Sequence, residues 1–422
     1  MNLIEYSEPL RYRSFLYWCC TRASTALAWQ MVGVAVGWQM YDITRSALAL
    51  GLVGLAQFLP LLILVFVAGH VGDRFDRRHV ARASELLEAC AVAVLCIATI
   101  DHALRPALIY AMIALLGVGR AFDGPASQAL LPNLVPSKII PAASARASTA
   151  HQIATITGPA AGGILYAVHP AIPYGIAAFM FATSAVLMTL LRTRGPVITT
   201  SGPPTRESVF AGLAFIRQTP LVLGAISLDL FAVLLGGATA LLPIYARDIL
   251  MIGPWGLGLL RTAPAVGALT LSLFFGRRPV RRHAGRIMFC AVASFGIATI
   301  VFGLSHWIVL SFLALVVLGA SDVVSVVIRS SMVAIMTPDA VRGRVNAVNA
   351  LFIGTSNQAG EFESGVTAAL LGPVGAVVLG GIGTVLVAIV CFRLFPDLAN
   401  VDSIEDVRPR VSPLASKPAS AS

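Results

Sequence analysis

Apolar stretches of about twenty residues recur along the whole chain, parted by short polar connectors, and they leave few ways to fold. Twelve can be read, at 15–40, 47–69, 81–101, 106–129, 145–168, 172–192, 220–244, 256–276, 287–305, 307–331, 346–370 and 374–395. At ~1.5 Å of rise per residue, each helix is about long enough to cross ~30 Å of hydrocarbon. Within a bilayer the backbone must satisfy its own polar groups, so the spans are helices. Charge content agrees: 12% of residues are charged and 57% hydrophobic, where a soluble domain carries about 25% charged. Mean hydropathy is +0.83. The expected class is an all-α membrane protein with twelve transmembrane helices, embedded in the lipid bilayer.

The net charge of +10 would suit nucleic acid or anionic lipid, so the placement of the charges decides. Arginines crowd the connectors on one side, among them Arg74, Arg77, Arg78, Arg192, Arg194, Arg277, Arg278, Arg342 and Arg344. The opposite connectors carry Arg45, Arg105 and Arg247. No basic patch with interleaved aromatics exists, so nucleic acid is excluded as a partner. The asymmetry places both termini in the cytoplasm, with the chain in the cell membrane. Six cysteines lie in or beside apolar segments without metal-ligand spacing, so neither a metal nor a disulfide framework is expected. The first residues, with Glu5, Glu8, Arg11 and Arg13, lack the pattern of a cleavable signal.

The chain divides into a cytoplasmic N-terminal segment (1–14), a six-helix bundle (15–192), a linker (193–219), a second six-helix bundle (220–395) and a tail (396–422). Val209, Phe210, Leu213 and Ile216 recur at helical spacing, which predicts an amphipathic helix in the linker. The tail, rich in Ser, Pro and Ala, is expected to be disordered. A shift of 202 residues lays Leu116-Gly117 on Leu318-Gly319, Pro136 on Pro338, Gly158 on Gly360 and Gly163 on Gly365. That register argues for a duplicated six-helix unit.

The run Gly69–Arg78 holds Asp73, Arg74, Asp76, Arg77 and Arg78. It cannot lie in hydrocarbon and must be a tight wet turn. Its order, Gly-x-x-x-Asp-Arg-x-x-Arg-Arg, resembles the signature between the second and third helices of the major facilitator superfamily, with Asp76 standing where that pattern has Gly. The resemblance implies two pseudo-symmetric six-helix bundles. It also implies a gate built from Gly69, Asp73, Arg74, Arg77 and Arg78, with Asp73 near the start of helix eleven when the transporter is open outward.

Other spans carry charge that hydrocarbon does not tolerate unpaired. Arg120 and Asp123 sit three residues apart on one helix face, as an ion pair or as chemistry. Their setting resembles the fourth-helix motif of facilitator transporters, whose arginine is implicated in proton coupling. Asp322 falls opposite Arg120 under the 202 shift, and Glu361 and Glu363 point roughly 200° apart, so only one can face a cavity squarely. Arg120, Asp123, Asp322, Glu361 and Glu363 are therefore the proton-coupling candidates. Glu85, Glu88 and Arg261 are further intramembrane charges. Gly158, Pro159, Gly162 and Gly163 resemble the Gly-Pro-x-x-Gly-Gly signature of facilitator antiporters; a plain small-residue packing face would look similar. Arg22, Trp29, Gln30 and Asp229 are candidates for a substrate cavity. With Thr337–Arg344, these motifs resemble the branch that includes enterobactin exporters and drug-efflux proteins, over nearly the whole chain.

The expectation is a secondary active exporter that moves a small amphipathic molecule outward in exchange for protons. A catecholate-type siderophore ranks first as substrate and lipophilic drugs second. No cofactor is implied, and the protein is expected to be a monomer. It is not expected to be an enzyme, because neither a phosphate-cradling Gly-x-x-x-x-Gly-Lys-[Ser/Thr] nor a Gly-x-Ser-x-Gly elbow occurs. Uptake of a metabolite and a non-transporting receptor are the alternatives.

Overall fold

The computed structural model describes residues 8–192, 206–277 and 282–403. Within the helices, the side chains of Gly69 and Asp73 lie outside the described residues. The N-terminal half comprises α1 (Arg13–Thr44), α2 (Ala47–Arg74), α3 (Arg77–Ile100), α4 (Pro106–Gln128), α5 (Ile140–Val168) and α6 (Ala171–Leu190). A linker helix follows, α7 (Arg206–Gln218). The C-terminal half comprises α8 (Pro220–Leu235), α9 (Gly253–Arg277), α10 (Ala284–Leu304), α11 (Ile308–Met336) and α12 (Asp339–Leu394). Short 3-10, α and π turns carry the crossing begun by α8 on to Ile249.

Local chemistry sets these boundaries. Arg45, in the left-handed conformation at φ 51°, ends α1. The Ser46 side chain then caps α2 by accepting from the Ala49 amide at 3.3 Å. Pro106 opens α4 and Pro220 opens α8, positions where the missing amide costs nothing. Gly372, at φ 78°, breaks α12 into two arms. Only a residue without Cβ turns there at low cost, and Pro373 follows as the first residue of the second arm. With α12 crossing twice, the protein has twelve transmembrane helices in two six-helix bundles.

Nine helical stretches among the described residues are long and apolar enough to cross a membrane. One of them, Phe352–Leu394, contains parts of two crossings. α1 and α5 fall short because they turn polar side chains, Arg22, Gln30, His151 and Gln152, into the interior. The even number of crossings puts the start of α1 and the end of α12 on one side, here called the terminal face; the other is the far face.

The core shows how the halves meet. One cluster of buried apolar side chains joins them, with Val34, Met40, Leu116, Tyr174 and Phe181 from the first and Leu241, Tyr245, Leu260 and Phe302 from the second. Nearer the terminal face the core splits. Phe15, Trp18, Leu130 and Leu134 pack within the first half, and Leu228, Met288, Ile328 and Met332 within the second. The halves therefore share a core toward the far face and part toward the terminal face.

α7 packs against the start of α12, with Ile216 buried beside Val345 and Val348. The side chains of Val209 and Phe210, part of the expected apolar stripe, lie outside the described ones. The tail corrects the sequence reading in part. Residues 396–403 fold back: Pro396–Ala399 is a short helix, Leu398 is fully buried, and the Asp402 and Val401 carbonyls accept from the first amides of α10. Those helix-end amides would otherwise lack partners. The rest of the tail lies outside the described residues.

Candidate substrate cavity and charge network

Two helix pairs form the seam between the halves: α5 against α9, and α2 against the first arm of α12. Each pair crosses where glycine meets glycine. A Cβ on Gly163 would lie 2.6 Å from the Pro254 carbonyl oxygen and 2.9 Å from the Gly258 Cα. A Cβ on Gly365 would lie 2.7 Å from the Gly51 Cα. These contacts are backbone to backbone, so only small residues allow them. In the Gly158–Gly163 run, Gly162 lets the Met31 backbone approach α5, and Gly163 serves the seam.

Ion pairs close the far face as well. Arg247 pairs with Asp42, and the Tyr41 hydroxyl donates to Asp248. Arg45 reaches Asp248 at 3.4 Å, and the Arg247 guanidinium lies 5.5 Å from the centre of the Trp38 ring. Beneath this layer a cavity of about 850 Å³ lies between the halves. That is the size of a site for a drug-like ligand. Arg120, Gln128 and His151, on its terminal-face side, are exposed.

The cavity brings together Arg22, Trp29, Gln30, Arg120, Asp123, Asp322 and Glu361. Glu363 is not among its lining residues; it accepts from the Thr367 hydroxyl at 2.7 Å. Gly54 makes room for Glu361, since a Cβ there would sit 2.7 Å from Oε2. Arg120 stacks on Trp29, with its guanidinium carbon 4.9 Å from the ring centre.

Two pairings differ from the sequence reading. Asp123 forms its ion pair with Arg22 of α1, at 3.5 Å, and not with Arg120 of its own helix. Helix packing brings a second guanidinium closer than the i, i+3 neighbour. Asp229 does not line the main cavity. It is buried and pairs with Arg329 at 3.1 Å, while Arg329 also donates to the Asn349 side chain at 3.1 Å. Asp229 and Asp322 border a small void of about 10 Å³ behind the cavity.

Of the Gly69–Arg78 run, the residues up to Arg74 end α2 and Arg77 opens α3, so the turn itself is only Phe75 and Asp76 and is shorter than the sequence suggested; the run's arginines hold the first half together. Asp76 caps α3 by accepting from the Arg78 amide at 2.9 Å and pairs with the Arg78 guanidinium at 2.6 Å. Those hydrogen bonds hold the Asp76 carboxyl below the usual carboxylate range. Arg78 also donates to the Leu191 carbonyl at 3.0 Å and Arg77 to the Ala129 carbonyl at 3.3 Å. Asp76 thus does different work from the glycine expected there: it anchors Arg78. Arg74 is exposed. Gly69 and Asp73 lie outside the described side chains.

The sequence reading did not assign Arg261, His151, Gln57 or Gln358 to the cavity they line. Arg261 was visible as an intramembrane charge; the others carried no signal beyond polarity. Nor did that reading separate Glu85 and Glu88 from the other acids. Both are buried on α3, behind the cavity wall.

Twelve helices in two bundles around a charged central cavity define a multi-pass membrane transporter of the major facilitator fold. Comparison with known proteins agrees. The chain matches the transmembrane secretion effector family over residues 6–416, and it belongs to that family of the major facilitator superfamily. It is 26% identical over 384 residues to the enterobactin exporter EntS of Escherichia coli O9:H4 (strain HS), covering 88% of this chain and 89% of that protein. Against the enterobactin exporter EntS of Citrobacter koseri it is 27% identical over 382 residues, covering 87% and 88%. Among solved structures, a bacterial homolog of the human lysosomal transporter Spinster, inward-facing and occupied, superposes with a TM-score of 0.72 at 13% identity, covering 95% and 99%. A mutant of the nucleoside transporter NupG superposes with a TM-score of 0.70 at 12% identity, covering 90% and 100%. At these identities the likeness is one of fold.

Proposed function

We propose that this protein exports a catecholate-type siderophore, or a ring-bearing molecule like one, in exchange for protons. The terminal face lies in the cytoplasm on this reading, so the cavity receives its load from inside the cell. The observation that carries it is the cavity wall where Arg120 stacks on Trp29, with Arg22, Arg261 and Gln30 around it. A flat aromatic ring competes for the Trp29 face. Guanidinium and amide groups beside it hydrogen-bond catechol oxygens. Kinship with enterobactin exporters over nearly the whole chain supports the direction and the substrate class.

Export then runs by alternating access. With the far face closed by its glycine pairs and ion pairs, substrate enters from the terminal face. The halves rock, those contacts part and the load leaves. Coupling runs through Arg120 and the carboxylates around it, Asp123 on its own side and Asp322 and Glu361 across the cavity. The Gly69–Arg78 turn closes the terminal face in the other state, and Asp73→Asn slows that step. Deleting the protein from iron-starved cells should trap siderophore inside them. A fall in cell-associated siderophore on deletion would make the protein an importer, and build-up of lipophilic dyes alone would make it a drug exporter.

A further inference from the structure

A second group of charges lies behind the cavity wall, inside the N-terminal half. Glu85 is fully buried and Glu88 is 1% exposed. None of their four carboxyl oxygens has a hydrogen-bond partner among the described residues; the Trp29 indole approaches Glu88 without meeting that geometry. The hydroxyls of Thr21 on α1 and Ser184 on α6 and one oxygen of Asp123 are buried and unpartnered too. Glu88 lies directly on the bare backbone of α4: a Cβ on Gly119 would stand 2.6 Å from the Glu88 Cγ.

The charged groups around this pocket are few. α4 contributes Arg120 and Asp123, α1 contributes Arg22, and α6 carries no charged side chain. α2 meets α3 only sparsely. Arg22 is taken by Asp123 at 3.5 Å and Arg120 lies over Trp29 at 4.9 Å. Three carboxyl groups thus face two guanidiniums, one paired with Asp123 and the other lying over Trp29, which leaves Glu85 and Glu88 without an ion pair among the described residues. A buried carboxylate with no donor and no cation is far costlier than the neutral acid.

We propose that Glu88, backed by Glu85, holds the coupled proton in a site walled off from the substrate cavity by Trp29, and that Arg120 is its switch. This deepens the proton-antiport reading above and rests on it. The chemistry follows from one shared surface. Trp29 carries Arg120 on its ring face while its indole approaches Glu88, so a ring seated on Trp29 displaces the guanidinium from it. The freed guanidinium pairs with Glu88, whose carboxylic acid then gives up its proton. The proton passes to the Asp123 carboxylate, which becomes the acid, and from there to water at the terminal face. One acid and one carboxylate exist before and after the transfer, so no further reactant is needed. Loading of substrate thereby discharges the proton, as antiport requires.

The test begins without substrate. Purified protein in liposomes is titrated with pH while the carbonyl stretch of protonated carboxylic acids is followed by infrared difference spectroscopy. Glu88→Gln should remove one carboxyl's share of that band, and Glu85→Gln should shift the titration of what remains. A Glu88→Gln spectrum identical to wild type would overturn the proposal, because Glu88 would then be ionised throughout. The second arm uses iron-free enterobactin as probe. Glu88→Gln should lose uptake driven by a pH gradient, down to the level of protein-free liposomes, and keep downhill exchange of preloaded enterobactin. Gradient-driven uptake that survives in Glu88→Gln would make the proton structural and the proposal wrong. If wild type moves no enterobactin, the substrate reading fails while the infrared arm still decides the proton site.

Discussion

In the N-terminal half, Arg22, Glu85, Glu88, Arg120 and Asp123 gather between α1, α3 and α4; in the C-terminal half, Asp229, Asp322 and Arg329 gather between α8 and α11. The two groups occupy related places in a duplicated unit and are bonded differently. Arg329 is paired with Asp229 and bonded to Asn349, each at 3.1 Å, and only its Nε lacks a partner among the described residues. Arg120 rests on an aromatic face, and the two glutamates of its cluster have no hydrogen-bond partner among the described residues. A closed buried pair fixes helices in place; an unsatisfied one stores the means to change protonation. The comparison assigns scaffolding to the second half's ion pair and coupling to the first half's cluster.

The largest expected effect breaks the buried Asp229–Arg329 pair. Arg329→Met leaves Asp229 buried and uncompensated, which should cost roughly 3–5 kcal/mol of stability. Thermal unfolding in detergent would register it as a marked fall in Tm, and adding Asp229→Leu should recover most of the loss. Should Arg329→Met leave Tm unchanged, Arg329 is not the scaffold this contrast requires.

A smaller effect is expected at the seam. Gly163→Ala drives a methyl group into the backbone of α9, where overpacking costs about 1–3 kcal/mol. The cost falls only on the state with the far face closed, so the balance should move toward opening there. Thiol labelling in a Gly37→Cys background would report it as faster modification from the far side. The infrared band of Glu88 should persist, because each half moves with its own cluster intact. A seam variant that erased that band would show the two regions are not separable.

The smallest effect is expected where chemistry matters most. Glu88→Gln replaces a neutral acid by a neutral amide of the same shape, so stability should change by about 1 kcal/mol, the scale of a single hydrogen bond. A loss as large as that of Arg329→Met would mean Glu88 is half of an ion pair, and the contrast between the halves would collapse.

Much of the fold was legible because hydropathy and helical period act within one segment. The spans and the linker helix follow from residues near each other in the chain, and the doubled unit from matches 202 residues apart. The turn at Gly372 is visible as Gly-Pro between two apolar runs. Contacts between helices were harder to read. Asp123 shares a face with Arg120 on a helical wheel, yet Arg22 of another helix takes it. Asp229 sits mid-span like a cavity residue, and only the rotation of α8 turns it toward Arg329. Spans apolar on most sides do not announce which face meets which neighbour. That choice is made by small residues such as Gly119 and Gly158, where Glu88 and Gln30 nest. The residues 396–403 read as tail by composition and are held by the open amides of α10.

The account stands or falls on movement of a catechol siderophore against its gradient. Protein is reconstituted into liposomes oriented with the terminal face outward, the lumen is made acidic and iron-free enterobactin is supplied outside. The account predicts that enterobactin accumulates in the lumen above its outside concentration and that collapsing the pH gradient releases it. No accumulation under the acid lumen, or accumulation only when the gradient is reversed, would contradict export by proton antiport.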